Sequence, residues 1–338
     1  MEILLLPVLS FAPMFFYALL LWWLDRYEKE PLHLLAFAFL WGAVPAIILS
    51  LILELALEIP ILALNSPQLA QDLLGTAVAA PIVEEIAKAL ALLTLLIFFR
   101  LEIDSPLDGL IYGGMAGFGF AAVENFFYFF AVYFEAGLSG LLTLTFLRAG
   151  LFGLNHAMFT AFTGLGLALA LEVRERWIRA LLPLLGLSLA IGAHAFHNSF
   201  ATFWMYVEGD APLVAAFVGD GFGVLLLLAV AVWARLLEQK RISAFLESAP
   251  AERLIPTTEL PIFTSTWRRW GARLSALLRG DVSRWWYLGR YFQLVAEAAF
   301  NWHRARRGDL KSKVKFTEIQ QKLHTLRKLH LSGTPALF

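Results

Sequence analysis

The sequence predicts an all-α bundle of about seven (seven to eight) transmembrane helices, followed by amphipathic helices in a C-terminal tail. Three observations support this fold class. Hydrophobic residues make up 59% of the 338-residue chain and charged residues only 16%, which is too apolar for a soluble protein of this length. Apolar segments of the roughly 20 residues that a helix needs to cross a bilayer recur along the chain. Finally, 19 of the 27 Lys and Arg lie in residues 235–338.

Seven apolar segments are long enough to be spans. Several exceed about 25 residues, so we expect tilted helices or helices that extend beyond the bilayer. The predicted spans cover residues 3–24, 32–57, 72–99, 108–134, 141–171, 178–207 and 212–234. We therefore divide the chain into a transmembrane bundle at residues 1–236 and a basic, Trp-rich region at residues 237–338.

Basic residues between the predicted spans alternate from loop to loop. Arg26 and Lys29 lie in the first loop, Arg100 in the third, and a cluster from Arg174 to Arg179 in the fifth. The second, fourth and sixth loops contain no Lys or Arg. By the positive-inside rule, the odd loops and the tail are cytoplasmic and the N-terminus is outside. The lack of Cys and of organelle signals favours a prokaryotic inner (plasma) membrane.

Polar side chains occur inside four neighbouring predicted spans, where they are costly and therefore suggest function. They are Glu84, Glu85 and Lys88 in the third span, Glu124 and Asn125 in the fourth, His156 in the fifth, and His194, His197 and Asn198 in the sixth. At a helical rise of about 1.5 Å per residue, Glu85, Glu124, His156 and His194 lie about 15–22 Å from the outer ends of their spans. This common depth predicts one shared site.

Spacing within the helices supports such a site. Residues three or four apart share a helix face, so Lys88 can pair with Glu84 or Glu85, and Asn198 lies on the face of His194. Adjacent Glu84 and Glu85 point about 100° apart, so only one of them is expected to face the centre squarely. Small residues in the fourth span allow close helix approach. They are Gly113, Gly114, Gly117 and Gly119.

Two His and one carboxylate can form an open zinc site, with a water as the fourth ligand. We predict Glu124, His156 and His194 as the ligands, and Glu84 or Glu85 as the group that removes a proton from the water. Without metal, the same residues could act as a Glu–His pair that activates water directly.

Other polar residues are predicted to assist. Asn198, one turn from His194, is placed to donate a hydrogen bond to a developing oxyanion. Supporting roles are assigned to Lys88, Phe120, Asn125 and His197. Arg148, near the outer end of the fifth span, is expected to snorkel to the interface. A purely structural interpretation competes with each role, because buried His and Glu–Lys pairs also hold helices together.

Two other classes of intramembrane protease fit the sequence less well. Gly219-Asp220 is similar to the Gly-Asp motif of presenilin-type aspartyl proteases, but no second Asp lies at mid-membrane depth in the other predicted spans. Ser188 is on the same helix as His194, which is poor geometry for a serine protease dyad. The sequence contains no His-Glu-x-x-His.

Four motifs in order, each on its own span, resemble the PrsW family of membrane proteases. They are Glu84-Glu85-x-x-Lys88, Phe120-x-x-x-Glu124, the lone His156, and His194-x-x-x-Asn198. The stretch from Asp108 to Asn125 also looks like the PrsW form of the second motif. The resemblance covers about residues 75–200, and the family is related to type II CAAX prenyl endopeptidases and bacterial CPBP proteins.

The resemblance implies a metalloprotease that cuts near or within membranes. In the CAAX relatives a Glu of the first motif activates water, which carried over implies this role for Glu84, assisted by His194 and Asn198. Glu124 stands where the CAAX pattern has a His, and Lys88 replaces an Arg one position further on. The superfamily also includes a non-proteolytic scaffold subunit of gamma-secretase. A scaffold or sensor that binds a partner helix, and a proton-coupled transporter, therefore remain alternatives.

The C-terminal region has a different character. Trp267-Arg-Arg-Trp270 and Arg284-Trp-Trp-Tyr287 are typical of basic helices that lie on anionic membrane surfaces. Prolines predict a linker at about residues 248–262. We expect anionic lipid as the partner of this region rather than nucleic acid, and a membrane protein or peptide as the substrate of the bundle. A regulatory or substrate-docking domain is the alternative.

Overall fold

The computed structural model of the chain describes residues 2–24, 29–103, 105–248, 251, 254–263 and 265–331. Arg26, which contributes to the predicted orientation, and the end of the tail from residue 332 lie outside the described residues. Every regular element in the described part of the chain is helical. The predicted all-α class is therefore confirmed.

Thirteen α-helices can be followed through these residues. In chain order they are α1 (Leu5–Leu24), α2 (Leu32–Trp41), α3 (Ile47–Ala63), α4 (Gln68–Asp72), α5 (Ala80–Phe98), α6 (Pro106–Thr145), α7 (Asn155–Glu172), α8 (Arg176–Trp204), α9 (Ala211–Leu246), α10 (Leu260–Phe263), α11 (Thr266–Leu278), α12 (Val282–Arg306) and α13 (Leu310–Leu331). Wider π-helical turns join α2 to α3 at Gly42–Ala46 and α4 to α5 at Leu73–Ala79, and a third follows α6 at Phe146–Leu151.

Five helical stretches among the described residues are long and apolar enough to cross a membrane. They are Glu2–Trp23, Leu32–Ala63, Pro106–Glu172, Arg176–Trp204 and Ala211–Leu246. The predicted third span, residues 72–99, is helical from α4 to α5, but it carries four charged side chains, Asp72, Glu84, Glu85 and Lys88, and is not among the five. The predicted count of seven spans stays a prediction.

The stretch Pro106–Glu172 doubles back on itself. Gly137 has a φ of 65°, which glycine adopts at little cost, and it separates two helical segments of α6. Gly109 lies against Gly164, whereas Gly117, further along α6, lies against His156 at the start of α7. Contacts that advance along α6 while they move back along α7 make this pair antiparallel. The stretch therefore contains both the fourth and the fifth predicted spans.

The predicted fifth span is not one continuous helix, as the sequence had suggested. Its first part ends in the π-helical turn Phe146–Leu151, and α7 begins only at Asn155. This break lies immediately before His156. Non-helical backbone at membrane depth is tolerated where it is enclosed by protein or lines a cavity, so the break is consistent with a site at this level.

The packing of α7 against α6 depends on glycine at position 117. A Cβ added there would lie 2.2 Å from the carbonyl oxygen of His156, and rigid backbone cannot yield cheaply. We expect Gly117→Ala to lower the free energy of unfolding by about 1–3 kcal/mol, measured by denaturant unfolding of the purified protein in detergent. Gly192→Ala on α8 is the matched control, since its added Cβ would meet nothing within 4 Å. Equal stability of the two variants would contradict this packing.

The described part of the chain forms two compact units. Of the described residues, one unit contains those up to Val232 except Lys29, and the other contains Lys29 and those from Trp233 to Leu331. In the second unit, α10 to α13 and the end of α9 enclose a core that includes Phe245, Tyr291 and Phe300. The predicted linker at 248–262 is wrong in part, because Ile255 and Ile262 are buried in this core. Residues 249, 250, 252 and 253 of that linker lie outside the described residues.

Candidate active site

The centre of the site is an ion-pair group on α5. Lys88 and Glu85 are fully buried, and Glu84 is 5% exposed. Lys88 Nζ donates to Glu85 Oε1 at 2.6 Å and to Glu84 Oε2 at 3.3 Å. The i, i+3 and i, i+4 spacing puts these groups on one helix face, and burial makes the unlike charges depend on each other.

His194 on α8 reaches both carboxylates of α5. Its Nδ1 atom lies 3.1 Å from Glu85 Oε1, and its Nε2 atom lies 3.9 Å from Glu84 Oε2. Phe159 stacks on the imidazole with ring centroids 4.7 Å apart. Thr160 donates to the other oxygen of Glu85 at 3.0 Å, so Glu85 is held on both sides and orients His194.

His156 on α7 is held in the same manner from the other side. Its Nε2 atom lies 2.8 Å from Glu124 Oε2 on α6, and its Nδ1 atom lies 4.0 Å from Glu84 Oε2. Lys88 Nζ lies 3.2 Å from the same Nδ1 atom. Because an ammonium can only donate, Nδ1 accepts and the Nε2–H donates to Glu124. Phe120 forms one wall, 4.1 Å from Lys88 Nζ to the ring centroid.

The two imidazoles therefore share one pattern. Each gives one ring nitrogen to a carboxylate, Glu85 or Glu124, and turns the other nitrogen towards Glu84. Metal-binding His residues characteristically use their second nitrogen in this way, because the carboxylate fixes the tautomer and the ring orientation. Ligand atoms of Glu84, His156 and His194 all lie within 4.8 Å of one another.

This donor set fits a zinc ion in both chemistry and charge. Two imidazoles and one carboxylate with a free fourth position are a known zinc arrangement. Glu84, Glu85 and Glu124 carry three negative charges against the two positive charges of Lys88 and Arg148. With neutral imidazoles one negative charge remains, and a bound cation would offset it.

Lys88 already presents a positive charge to part of this set. Its ammonium lies within 3.3 Å of Glu84 Oε2 and of His156 Nδ1. His156 Nδ1 has a single lone pair, so it could bind a metal ion only if it gave up its contact with Lys88. The positions of Lys88 and of a metal ion are therefore coupled.

The structure differs from the predicted ligand set at Glu124. This carboxylate contacts His156 and also accepts from Arg148 Nη2 at 2.5 Å. Glu84 instead is the acid that groups with both His residues. The prediction that Arg148 snorkels to the interface is wrong. Its guanidinium pairs with Glu124, donates to Asn125 Oδ1 at 2.8 Å, and lies over Tyr128.

Asn198 is not brought into contact with this cluster. It lies one turn from His194 on α8, but its amide donates to the backbone carbonyl of Thr76 at 2.7 Å. Its Nδ2 atom carries a second N–H, but no hydrogen bond among the described residues joins it to the Glu/His cluster. Its catalytic role stays a prediction.

His197 belongs to a second polar cluster, with Asn155 and Asp220. Asp220 Oδ2 lies 2.7 Å from His197 Nδ1 and accepts from Asn155 Nδ2 at 2.9 Å. Asp220 is 4% exposed. Sequence reasoning gave this residue no role, and the structure shows that it ties α9 to α8 and to the first residue of α7, next to His156.

We expect Asp220→Ala to destabilise the bundle by about 1–3 kcal/mol, because the buried Asn155 and the partly buried His197 would lose their shared acceptor. The measurement is denaturant unfolding of purified protein in detergent. Glu208→Gln, an exposed residue of the α8–α9 loop, should stay within about 0.5 kcal/mol of wild type. Identical unfolding curves for the two variants would show that the cluster is not structural.

Two contributors to the site were missed by sequence reasoning. In the sequence, Thr160 does not differ from other threonines in apolar helices. Its hydrogen bond to Glu85 is evident only from the structure. Glu54 on α3 has a buried Oε1 atom with no hydrogen-bond partner among the described residues. It interacts electrostatically with Glu84, Glu124 and Lys88. The sequence feature that could have pointed to Glu54 is its position as a lone Glu inside the second predicted span.

These features define the class of the protein. It is an all-α integral membrane protein in which buried carboxylates, imidazoles and one ammonium from α5, α6, α7 and α8 meet at one place, an arrangement suited to acid–base or metal chemistry. The chain belongs to the PrsW family, since the family model described as PrsW family intramembrane metalloprotease matches residues 30–237. The resemblance seen in the motifs is thereby confirmed over a longer range. No curated protein and no solved structure matches the chain.

Proposed function

We propose that this protein hydrolyses peptide bonds of membrane proteins or peptides at a site formed by Glu84, His156 and His194. Family membership supports a protease of membranes. The observation that carries the proposal is the pattern of the two imidazoles, each oriented by its own carboxylate and each turned towards Glu84. Structural ion pairs alone do not require that arrangement.

Glu84, His156 and His194 would hold a zinc ion through one carboxylate oxygen and two ring nitrogens. When bound, such an ion lowers the pKa of a bound water to about 7 and so supplies hydroxide at neutral pH. The remaining residues of the site act through these three. Glu85 and Glu124 fix the tautomers of the imidazoles, and Lys88 holds Glu85 in place.

The same residues could also activate water directly. Glu84 makes only one hydrogen bond among the described contacts, the long one to Lys88. It is therefore more available to accept a proton than Glu85, which is engaged by Lys88, Thr160 and His194. In either version the reaction depends on Glu84.

The orienting carboxylates should tune metal binding without being ligands. We expect Glu85→Gln and Glu124→Gln each to weaken zinc affinity about 10- to 100-fold, the usual effect of losing a carboxylate that orients a metal-binding His. Zinc titration of metal-depleted protein in the presence of a competing chelator measures this. Glu135→Gln, an exposed carboxylate on α6, is the matched control and should bind zinc like wild type. Unchanged affinity in Glu124→Gln would argue against its role in orienting His156.

We propose a membrane topology with the N-terminus outside and the C-terminal unit in the cytoplasm. The proposed location is a prokaryotic inner membrane. The distribution of Lys and Arg between the predicted loops supports this orientation. We propose that the substrate is itself a membrane segment or lies next to one, because the polar residues of the site lie within apolar helices.

Three functions can be separated in one reconstituted system. Purified protein in liposomes is given a labelled transmembrane peptide, and cleavage, peptide binding and proton uptake are recorded in parallel. The proposal predicts two new peptide termini by mass spectrometry and no proton flux. Tight peptide binding without cleavage would instead support a scaffold or sensor, and proton-coupled uptake would support a transporter.

A further inference from the structure

One helix of the C-terminal unit exposes large apolar side chains in a row. On α11, Trp267 is 81% exposed, Trp270 53%, Leu277 48% and Leu278 78%. At about 100° of rotation per residue, these four positions fall within an arc of about 100° on one side of the helix. Neighbouring Val282 and Trp286 at the start of α12 are also exposed, at 61% and 58%. We call these six residues the Trp/Leu surface.

The fold of the unit does not need this surface. The side chains that close its core lie on other faces of the same elements. Among them are Ala276 on α11 and Tyr287, Leu288 and Tyr291 on α12, all buried. An exposed apolar patch that contributes nothing to a core commonly marks an interaction site.

The surroundings of the Trp/Leu surface are strongly cationic. Residues 265–280 contain four arginines and no acidic residue. Arg268 and Arg279 are exposed beside the apolar row. Arg273 lies over the ring of Trp285, 4.6 Å from its centroid, which fixes the helix to α12. A partner for this surface must therefore accept apolar side chains and carry negative charge.

We infer that the Trp/Leu surface, with Arg268 and Arg279, docks the C-terminal unit on an anionic lipid bilayer. Tryptophan favours the level of the headgroups, aliphatic tips enter the acyl boundary, and arginines bind lipid phosphates. Covalent continuity favours this occupant, because α9 runs unbroken from an apolar membrane stretch into the second unit. A second copy would bring the same positive charges together, and like charges oppose such a contact.

The absence of Cys from the chain allows a direct test with the full-length protein. Ser283→Cys places a single thiol on the exposed start of α12 without removing an apolar anchor, and it is labelled with an environment-sensitive fluorophore. The protein is reconstituted in nanodiscs of neutral phosphatidylcholine or of the same lipid with about one third phosphatidylglycerol. Thr317→Cys on the exposed part of α13 is the matched label site.

We expect the label at position 283 to shift to the blue and to be shielded from iodide in anionic nanodiscs, whereas the label at 317 should respond much less. Arg268→Gln with Arg279→Gln should lower the ratio of docked to free units about 30-fold, from roughly fivefold per arginine near an anionic surface. Trp267→Ala with Trp270→Ala should abolish the blue shift and the shielding in anionic nanodiscs. Circular dichroism of each variant verifies that the helices are intact.

Equal shielding in neutral and anionic nanodiscs that persists without the two arginines would overturn the inference. Shielding that grows with the number of proteins per nanodisc would do the same and would indicate contact between copies. The readout does not involve peptide cleavage, so the lipid surface and the proposed protease site can fail independently.

Discussion

Glu84→Gln should reduce turnover of a transmembrane peptide by about 10²- to 10⁴-fold, the range typical for loss of an acid–base group that acts at the reacting centre. Glutamine keeps the shape of the side chain but cannot accept a proton as a carboxylate does and is a poor ligand for zinc. Glu84 is also the acid towards which both imidazoles turn. Initial rates of cleavage in liposomes measure the effect.

The matched control is a carboxylate of the same bundle that takes no part in the proposed site. Glu58→Gln on α3 meets this requirement, because Glu58 is exposed and lies one turn beyond Glu54. It should cleave at the wild-type rate. Turnover by Glu84→Gln within threefold of wild type, with the protein correctly folded, would rule out the proposed site.

Lys88→Met should lower the free energy of unfolding by about 3–5 kcal/mol, because it leaves buried carboxylates without their cation. Lys88 is fully buried and contacts Glu84, Glu85 and His156. Methionine is close in length to lysine and keeps most of the apolar packing. The loss of stability would therefore come chiefly from the missing positive charge. Unfolding of purified protein by denaturant in mixed micelles is the measurement.

A double-mutant cycle isolates the ion pair. Adding Glu85→Gln to Lys88→Met should recover part of the lost stability, because the uncompensated charge is removed. Arg100→Gln, an exposed cation just after α5, should change stability by no more than about 0.5 kcal/mol. Strict additivity of the two site substitutions would indicate that Lys88 and Glu85 do not interact.

The general form of the site could be predicted from sequence because the bilayer makes polar residues conspicuous. His156, His194 and the Glu84-Glu85-Lys88 group stand out in apolar helices, and helical spacing predicts the Lys88 pairs that the structure shows. Depth along a helix is also readable from residue number. The period and rise of an α-helix are sufficient to predict both the pairing and the depth.

The role of each residue within the site could not be predicted. It depends on how each helix is rotated about its own axis and on short breaks in the helices, and the sequence shows neither. Glu124 was expected to bind metal, yet the antiparallel packing of the hairpin puts Arg148 and His156 against it. The break before Asn155 could not be inferred from an apolar run that continues across it. Glu54, Thr160 and Asp220 acquire their meaning only from neighbours that are distant in sequence.

In the C-terminal tail, too, the composition predicts the general character of the region but not its packing. Its Trp and Arg content predicts helices that meet a membrane surface. Composition does not show which residues form a core, and the structure buries Ile255, Ile262 and Tyr291 while it leaves the Trp/Leu surface exposed. The expected linker is partly core for this reason.

We propose that Glu84, His156 and His194 form one zinc-dependent proteolytic site. The most direct test of this proposal is cleavage of a labelled transmembrane peptide by wild-type protein in liposomes, recorded before chelation, after removal of metal and after stepwise return of zinc. We expect loss of cleavage on chelation and full recovery at one zinc per chain, with no recovery in His156→Ala or His194→Ala. Cleavage that continues undiminished in metal-free protein, or recovery in either His variant, would contradict it.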